Sequence, residues 1–154
     1  KIQNSKLLLV GPLEPELDPL KPEALKEIGS NPNIISVGFQ EDVRPYFAIS
    51  QVLAFPSYRE DFPNVVMQAG AMGLPAIVSN INGCNEIVEE AENGIIIPPK
   101  NIGQLQKAME KLIKDQNLYR QLQERSREMI VKRYQRKYIW QALLDEYNNL
   151  LEKK

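Results

Sequence analysis

Five short apolar runs constrain what this chain can fold into: LLLV (residues 7–10), IISV (34–37), VLAF (52–55), AIV (76–78) and III (95–97). Their hydrophobicity is continuous rather than alternating, which suits strands buried on both faces of a parallel sheet. Segments of helical character lie between them. PEALKEIG (22–29) starts on proline and ends on glycine, the asymmetry expected of a helix. DVRPYFAIS can start with Asp42 as N-cap, and PNVVMQAGAMG (63–73) puts Val65, Val66, Ala69 and Met72 on one face. NEIVEEAENG (85–94) again reads as a helix ending at a glycine. Parallel neighbours need helical crossovers, so this alternation predicts an α/β fold: a doubly wound, Rossmann-like parallel sheet of about five strands. After Pro98-Pro99 the pattern is helix alone. Ile102, Leu105, Met109 and Leu112 form one stripe, Leu118, Leu122 and Met129 a weaker one, and Ile139, Leu143, Tyr147 and Leu150 a third. The charges between them (KLIKDQ, QERSREM) read as solvated faces, and Trp140 and Tyr147 as packing residues. Residues 1–154 are expected to form one domain, with a strand-and-helix core over 1–100 and C-terminal helices over 101–154.

Composition removes several kinds of chemistry. The net charge of −1 offers no general attraction for nucleic acid, so any affinity for phosphate must be local. The chain has no histidine, which excludes a Ser-His-Asp or Cys-His system and a histidine metal site within it. Cys84 is the only cysteine, so no internal disulfide forms; it reads as a loop or helix-start residue and favours a reducing compartment. No Cys-x-x-Cys, GxGxxG or GxxxxGK[ST] occurs, nor an acidic pair at Asp-x-Asp spacing. No apolar run approaches the length of a membrane span. The opening KIQNSKLLLVG enters a strand almost at once, as expected of a segment of a longer chain.

In an open parallel sheet, ligands bind beyond the carboxyl ends of the strands, where loops meet helix N-termini. The loop after VLAF is the most informative. Pro63 can occupy the first helical position, leaving the amides of Asn64 and Val65 pointing out of the helix end. With the helix dipole they make an anion site suited to a pyrophosphate. Asp61 reads first as an N-cap or first-turn acid. Glu60 is one residue too early for that, and a carboxylate beside a phosphate site is best explained by sugar hydroxyls. The following polar loop, SNINGCNEIV, leads to a second helix start at Asn85 over the same edge. The residues thus specify a phosphate-bearing, hydroxyl-rich ligand.

The run PSYREDFPNVVMQAGAMGLPAIVSNINGCNEIV resembles the donor-binding signature of the family 4 retaining glycosyltransferases, which have the GT-B fold. The resemblance rests on Pro56-Ser57, Glu60, Phe62-Pro63, Gln68-Ala69, the segment Ala71-Met72-Gly73-Leu74-Pro75, and GCNEIV (83–88). VGFQEDVRPYF, NGIIIPPKN and WQALLDEY also fit, so it extends over essentially the whole chain. It implies the C-terminal, nucleotide-sugar-binding half of a hexosyltransferase. Such an enzyme transfers sugar with retention from a nucleotide-diphosphate sugar to a glycan or lipid-linked acceptor, in bacterial capsule or O-antigen synthesis. The acceptor belongs to an N-terminal domain absent from this chain. By resemblance Glu60 holds donor-sugar hydroxyls as the catalytic-site carboxylate, and the loop of Asp61, Phe62 and Pro63 lines the sugar site. Asn64 and Val65 amides take the diphosphate, Gly83 belongs to the facing loop, and Phe39 and Gln40 lie near the base. No metal or other cofactor is implied, nor a nucleic-acid partner or membrane span. The implied location is cytoplasmic, with any membrane association peripheral.

Two departures from the family pattern carry consequences. The ribose-binding glutamate, eight residues after Glu60, is here Gln68. An amide can still accept a hydrogen bond but without charge assistance, which weakens nucleotide binding by about 1–2 kcal/mol. The arginine and lysine that neutralise the leaving diphosphate, and a strand central to the sheet, belong upstream of Lys1 in the family. The chain alone is therefore expected to be inactive. Two other readings are a non-catalytic nucleotide-sugar-binding module, favoured by Gln68, and a sugar-nucleotide epimerase of the same fold, disfavoured by the lack of histidine.

Overall fold

The structure is a computed structural model describing residues 5–17 and 19–152. The chain divides into two compact units, residues 1–49 and 50–154. In the first, β1 (Leu7–Leu9) pairs in parallel with β2 (Ile34–Ser36), joined through α1 (Pro22–Ser30), and α2 (Arg44–Ile49) follows. Proline stands at the start of α1 as expected. Asp42 lies one residue before the α2 cap; its carboxylate accepts from the Arg44 amide at 3.0 Å and from the Arg44 guanidinium at 2.8 Å.

The second unit is built on β3 (Leu53–Phe55), β4 (Ala76–Ser79) and β5 (Gly94–Ile97), all parallel, in the order β3-β4-β5. The five expected strands therefore form, within a residue of their expected bounds, but pair as two parallel sheets rather than one. Among the described residues β1 and β3 each pair along one edge only. Central β4 is buried along its whole length, as its unbroken apolar run predicts. Its alternate side chains enter two cores. Ala76 and Val78 join Val66 of α3 (Asn64–Ala71), Cys84 and Ile87 of α4 (Cys84–Ile87), and Val88. Ile77 joins Ile95 and Ile97 with Ala108 and Leu112 of α5 (Ile102–Lys114). Helix α6 (Gln116–Tyr134) serves both cores, giving Leu122 to the second and Ile130 to the first.

Two local expectations are corrected. The helix expected over 85–94 is only Cys84–Ile87. Buried Asn93 takes over there: its side chain donates to the Ile87 carbonyl and accepts from the Glu89 amide, which closes a turn in place of further helix. Gly94 is consequently the first residue of β5 and not a helix stop. The charged run QERSREM is not merely a solvated face. Ser126 within it is fully buried, donating to Leu122 and Asn93 carbonyls, while Arg125 pairs with Glu92 and Arg127 donates to the Ala71 carbonyl. Helix α7 (Arg136–Glu152) has no buried residue, and Trp140 and Tyr147 on it are 63% and 59% exposed. No helix among the described residues is long and apolar enough to cross a membrane.

Candidate functional site

The loops leaving the carboxyl ends of β3, β4 and β5 come together at one edge of the second unit. Pro63 caps α3 instead of starting it, with φ −74° and ψ 106°, so Asn64 is the first helical residue. Proline at the cap still accepts the first helical hydrogen bond, from the Val66 amide to its carbonyl at 3.1 Å. Among the described residues the amides of Asn64 and Val65 have no acceptor, so α3 begins in free donors. Asp61 does not fill the cap expected of it: it lies two residues before Pro63, exposed, and no side chain caps α3.

Glu60 is half-buried and pinned. The Ser57 hydroxyl donates to its carboxylate at 2.9 Å, so the turn that begins Pro56-Ser57 fixes the carboxylate three residues later. No group of three or more Cys, Asp or Glu side chains able to hold a metal is found among the described residues. Gln68 is exposed and sits four residues after Asn64, on the same face of α3 and one turn from its free end.

Gly83 is buried directly against the β3 loop. It has φ +76°, and a Cβ built there would lie 2.8 Å from the Asp61 carbonyl carbon and 3.0 Å from Phe62 Cα. Only glycine permits both that backbone conformation and that approach. The second helix end expected at this edge does not materialise as an anion site. Helix α4 is a single turn, and the Gly83 amide already donates to the Glu86 carboxylate at 3.2 Å. Next to it Cys84 is fully buried; burial, and secondarily the Glu60 carboxylate, push its thiol up to about 11, so it stays protonated at neutral pH.

Two contacts at this edge were not visible in the sequence. Phe62 meets the Tyr134 ring edge to face, with centroids 5.6 Å apart. Lys100, after β5, places its ammonium 4.7 Å from the centre of the Tyr58 ring, bringing a cation to the β3 loop. A Pro-Ser turn three residues before a glutamate could have signalled the Ser57–Glu60 bond. Nothing local could have paired Phe62 with Tyr134. Phe39 and Gln40 lie in the first unit: Phe39 is 73% exposed, and the Gln40 amide side chain donates to the Val37 carbonyl at 2.8 Å.

The arrangement offers two free amides at a helix end for an anion, with an oriented carboxylate, itself only an acceptor when ionised, for hydroxyl donors. Residues 1–129 match the family model of the glycosyl transferases group 1. The capsular polysaccharide biosynthesis glycosyltransferase CapM of Staphylococcus aureus is 29% identical over 97% of this chain and 39% of its own length. The lipopolysaccharide core biosynthesis glycosyltransferase LpsE of Rhizobium meliloti is 27% identical over 83% of this chain and 36% of its own. Among solved structures, sucrose-phosphate synthase of Thermosynechococcus elongatus superimposes with a TM-score of 0.83 at 27% identity, covering 97% of this chain and 39% of that one. Anabaena HepE in complex with UDP gives 0.87 at 23% identity over 96% of this chain and 42% of its own, a likeness of fold. The chain thus spans about two fifths of the length of these relatives. With the family model covering most of its length, the chain belongs to the glycosyl transferases group 1.

Proposed function

We propose that this chain is the donor-binding half of a retaining hexosyltransferase of family 4. The whole protein would move a sugar from a nucleotide-diphosphate sugar to a glycan or lipid-linked acceptor in bacterial surface polysaccharide synthesis, in the cytoplasm. The observation that carries the reading is the free α3 end beside a Glu60 carboxylate held by Ser57. The Asn64 and Val65 amides and the helix dipole take the diphosphate, and Glu60 accepts hydrogen bonds from hydroxyls of the sugar. In the transfer step the bond from the anomeric carbon to the phosphate oxygen breaks and the acceptor oxygen bonds to that carbon. The acceptor's proton passes to the departing diphosphate. Such a step needs an aligned acceptor and a stabilised leaving group rather than a protein base, which suits a chain without histidine. The CapM and LpsE names supply the polysaccharide context.

A calorimetric titration with UDP, GDP, ADP and their glucose conjugates tests the reading, with UDP first because the like-folded HepE holds it. Binding of one diphosphate at millimolar concentration or better is expected; absence of binding by all of them overturns the site. Gln68 favours a second reading, a module that binds nucleotide sugar without turning it over. Gln68→Glu restores charge to the group one turn from the diphosphate end, and a gain of about 1–2 kcal/mol, roughly five- to thirtyfold in affinity, is expected if that site has degenerated. Unchanged affinity in the same titration points instead to a site adapted to the amide.

A further inference from the structure

Five residues form a closed circuit of contacts around the candidate sugar site. Phe62 packs edge to face on Tyr134, 5.6 Å between centroids at 69°. The Tyr134 hydroxyl donates to the Glu86 carbonyl at 3.1 Å. The Glu86 carboxylate accepts from the Gly83 amide at 3.2 Å, and Gly83 lies against the Asp61 carbonyl and Phe62 Cα, which closes the circuit. Arg133 adds to the same grip, donating to the Glu86 carbonyl and, at 2.9 Å, to the Glu89 carboxylate. Tyr134 is half-buried at the last residue of α6, whose Ile130, one turn earlier, is fixed in the core against α3. The ring therefore stands on a rigid support and touches both loops at once.

We infer that Tyr134 is a positioning residue for the donor site, holding the Asp61-Phe62 loop against Gly83 so that Glu60 and the loop amides face the sugar. The inference rests on the donor-site reading above and adds a residue outside the glycosyltransferase signature segment. Its physical content is that the Asp61-Phe62 segment has few side-chain restraints of its own. Phe62 is 40% exposed, no side chain caps α3, and α4 is one turn long. Aromatic edge-to-face contacts and a hydroxyl–carbonyl bond are each modest, but here they tie the Asp61-Phe62 segment to α4. The diphosphate amides of Asn64 and Val65 belong to α3 itself, which is held in the core by its buried Val66, Ala69 and Gly70. Loss of Tyr134 should then affect the sugar more than the nucleotide.

Cys84, the only cysteine, is a built-in reporter because it is fully buried next to Gly83. Thiol labelling with an aromatic disulfide is measured for wild type, Tyr134→Leu and Tyr134→Phe, alongside their unfolding equilibria in urea. The expected result is labelling of Tyr134→Leu at least about tenfold faster than its global stability accounts for, with Tyr134→Phe, which keeps the ring contact, within about threefold of wild type. Labelling of Tyr134→Leu that follows global unfolding alone, or matches wild type, overturns the inference. If Tyr134→Leu does not fold, Phe62→Leu opens the same contact from the exposed side and is held to the same criterion. In parallel, UDP and UDP-glucose are titrated: a loss of about tenfold for UDP-glucose with UDP within twofold supports the positioning role, and equal losses contradict it. Should wild type bind neither ligand, the donor-site reading falls, while the labelling result still decides whether Tyr134 holds the loops.

Discussion

Gly83→Ala is expected to destabilise the protein by roughly 2–6 kcal/mol and to abolish detectable donor binding. The magnitude combines two costs. An alanine at φ +76° carries backbone strain on the order of 1–3 kcal/mol. Its Cβ would also meet the Asp61 carbonyl and come within 3.0 Å of Phe62 Cα, and backbone cannot swing aside as a side-chain tip can. Overpacking of that kind costs about 1–3 kcal/mol more. Relief requires the β3 loop to withdraw, which carries Asp61 and Phe62 off their positions and loosens Glu60 and Cys84 behind them. Urea unfolding measures the first effect as a lower midpoint at unchanged slope. Calorimetry measures the second. Wild-type stability together with wild-type binding in this variant would mean that the two loops do not meet as described.

Gly94→Ala tests the sheet and not the site, and its effect is expected to be of similar size. Gly94 opens β5 opposite Ala76 of β4, and a Cβ there would meet the Ala76 carbonyl and lie 2.7 Å from Val88 Cγ1. Gly94 has ordinary negative φ, so no backbone strain is added and the whole cost is steric, about 2–3 kcal/mol at the upper end of overpacking. The consequence is a spreading of the β4–β5 ladder that carries Ile77, Ile95 and Ile97 into the second core. Nucleotide affinity measured well below the unfolding midpoint should change by less than threefold, since Gly94 lies at the amino end of β5 whereas α3 starts beyond the carboxyl end of the parallel strand β3. The two glycine variants therefore separate loss of stability from loss of the site.

The strands were legible because β4 and its neighbours carry continuous apolar runs, which only a covered sheet can use. Glu60 stood out in the sequence as a carboxylate placed too early to cap the helix that follows it, and the structure adds its hydrogen bond from Ser57. What failed was decided by contacts distant in sequence or by single polar side chains. The segment after Ile87 has helical composition, yet one buried Asn93 satisfies the groups that a longer α4 would have used. The inward stripe of α6 is Leu122, Ser126 and Ile130, and its middle member is a serine that returns its hydroxyl to the Leu122 carbonyl, so an apolar periodicity does not find it. Pro63 satisfies the requirement for a missing N–H equally well at the cap or the first turn, which left the start of α3 open by one residue. Tyr134 joins Phe62 only through the path of α6 across both cores, and no local pattern encodes that.

The central claim is that Glu60 reads sugar while the α3 end reads diphosphate, and Glu60→Ala measures it most directly. Wild type and Glu60→Ala are titrated with the diphosphate that the nucleotide screen identifies and with its glucose conjugate. Removal of a charged acceptor of hydroxyl hydrogen bonds is expected to cost about 1.5–3 kcal/mol for the conjugate, at least tenfold in affinity. The free nucleoside diphosphate, which lacks the sugar hydroxyls proposed for Glu60, should bind the variant within about twofold of wild type. Equal weakening of both ligands, or an unchanged affinity for the conjugate, would contradict the assignment of Glu60 to the sugar.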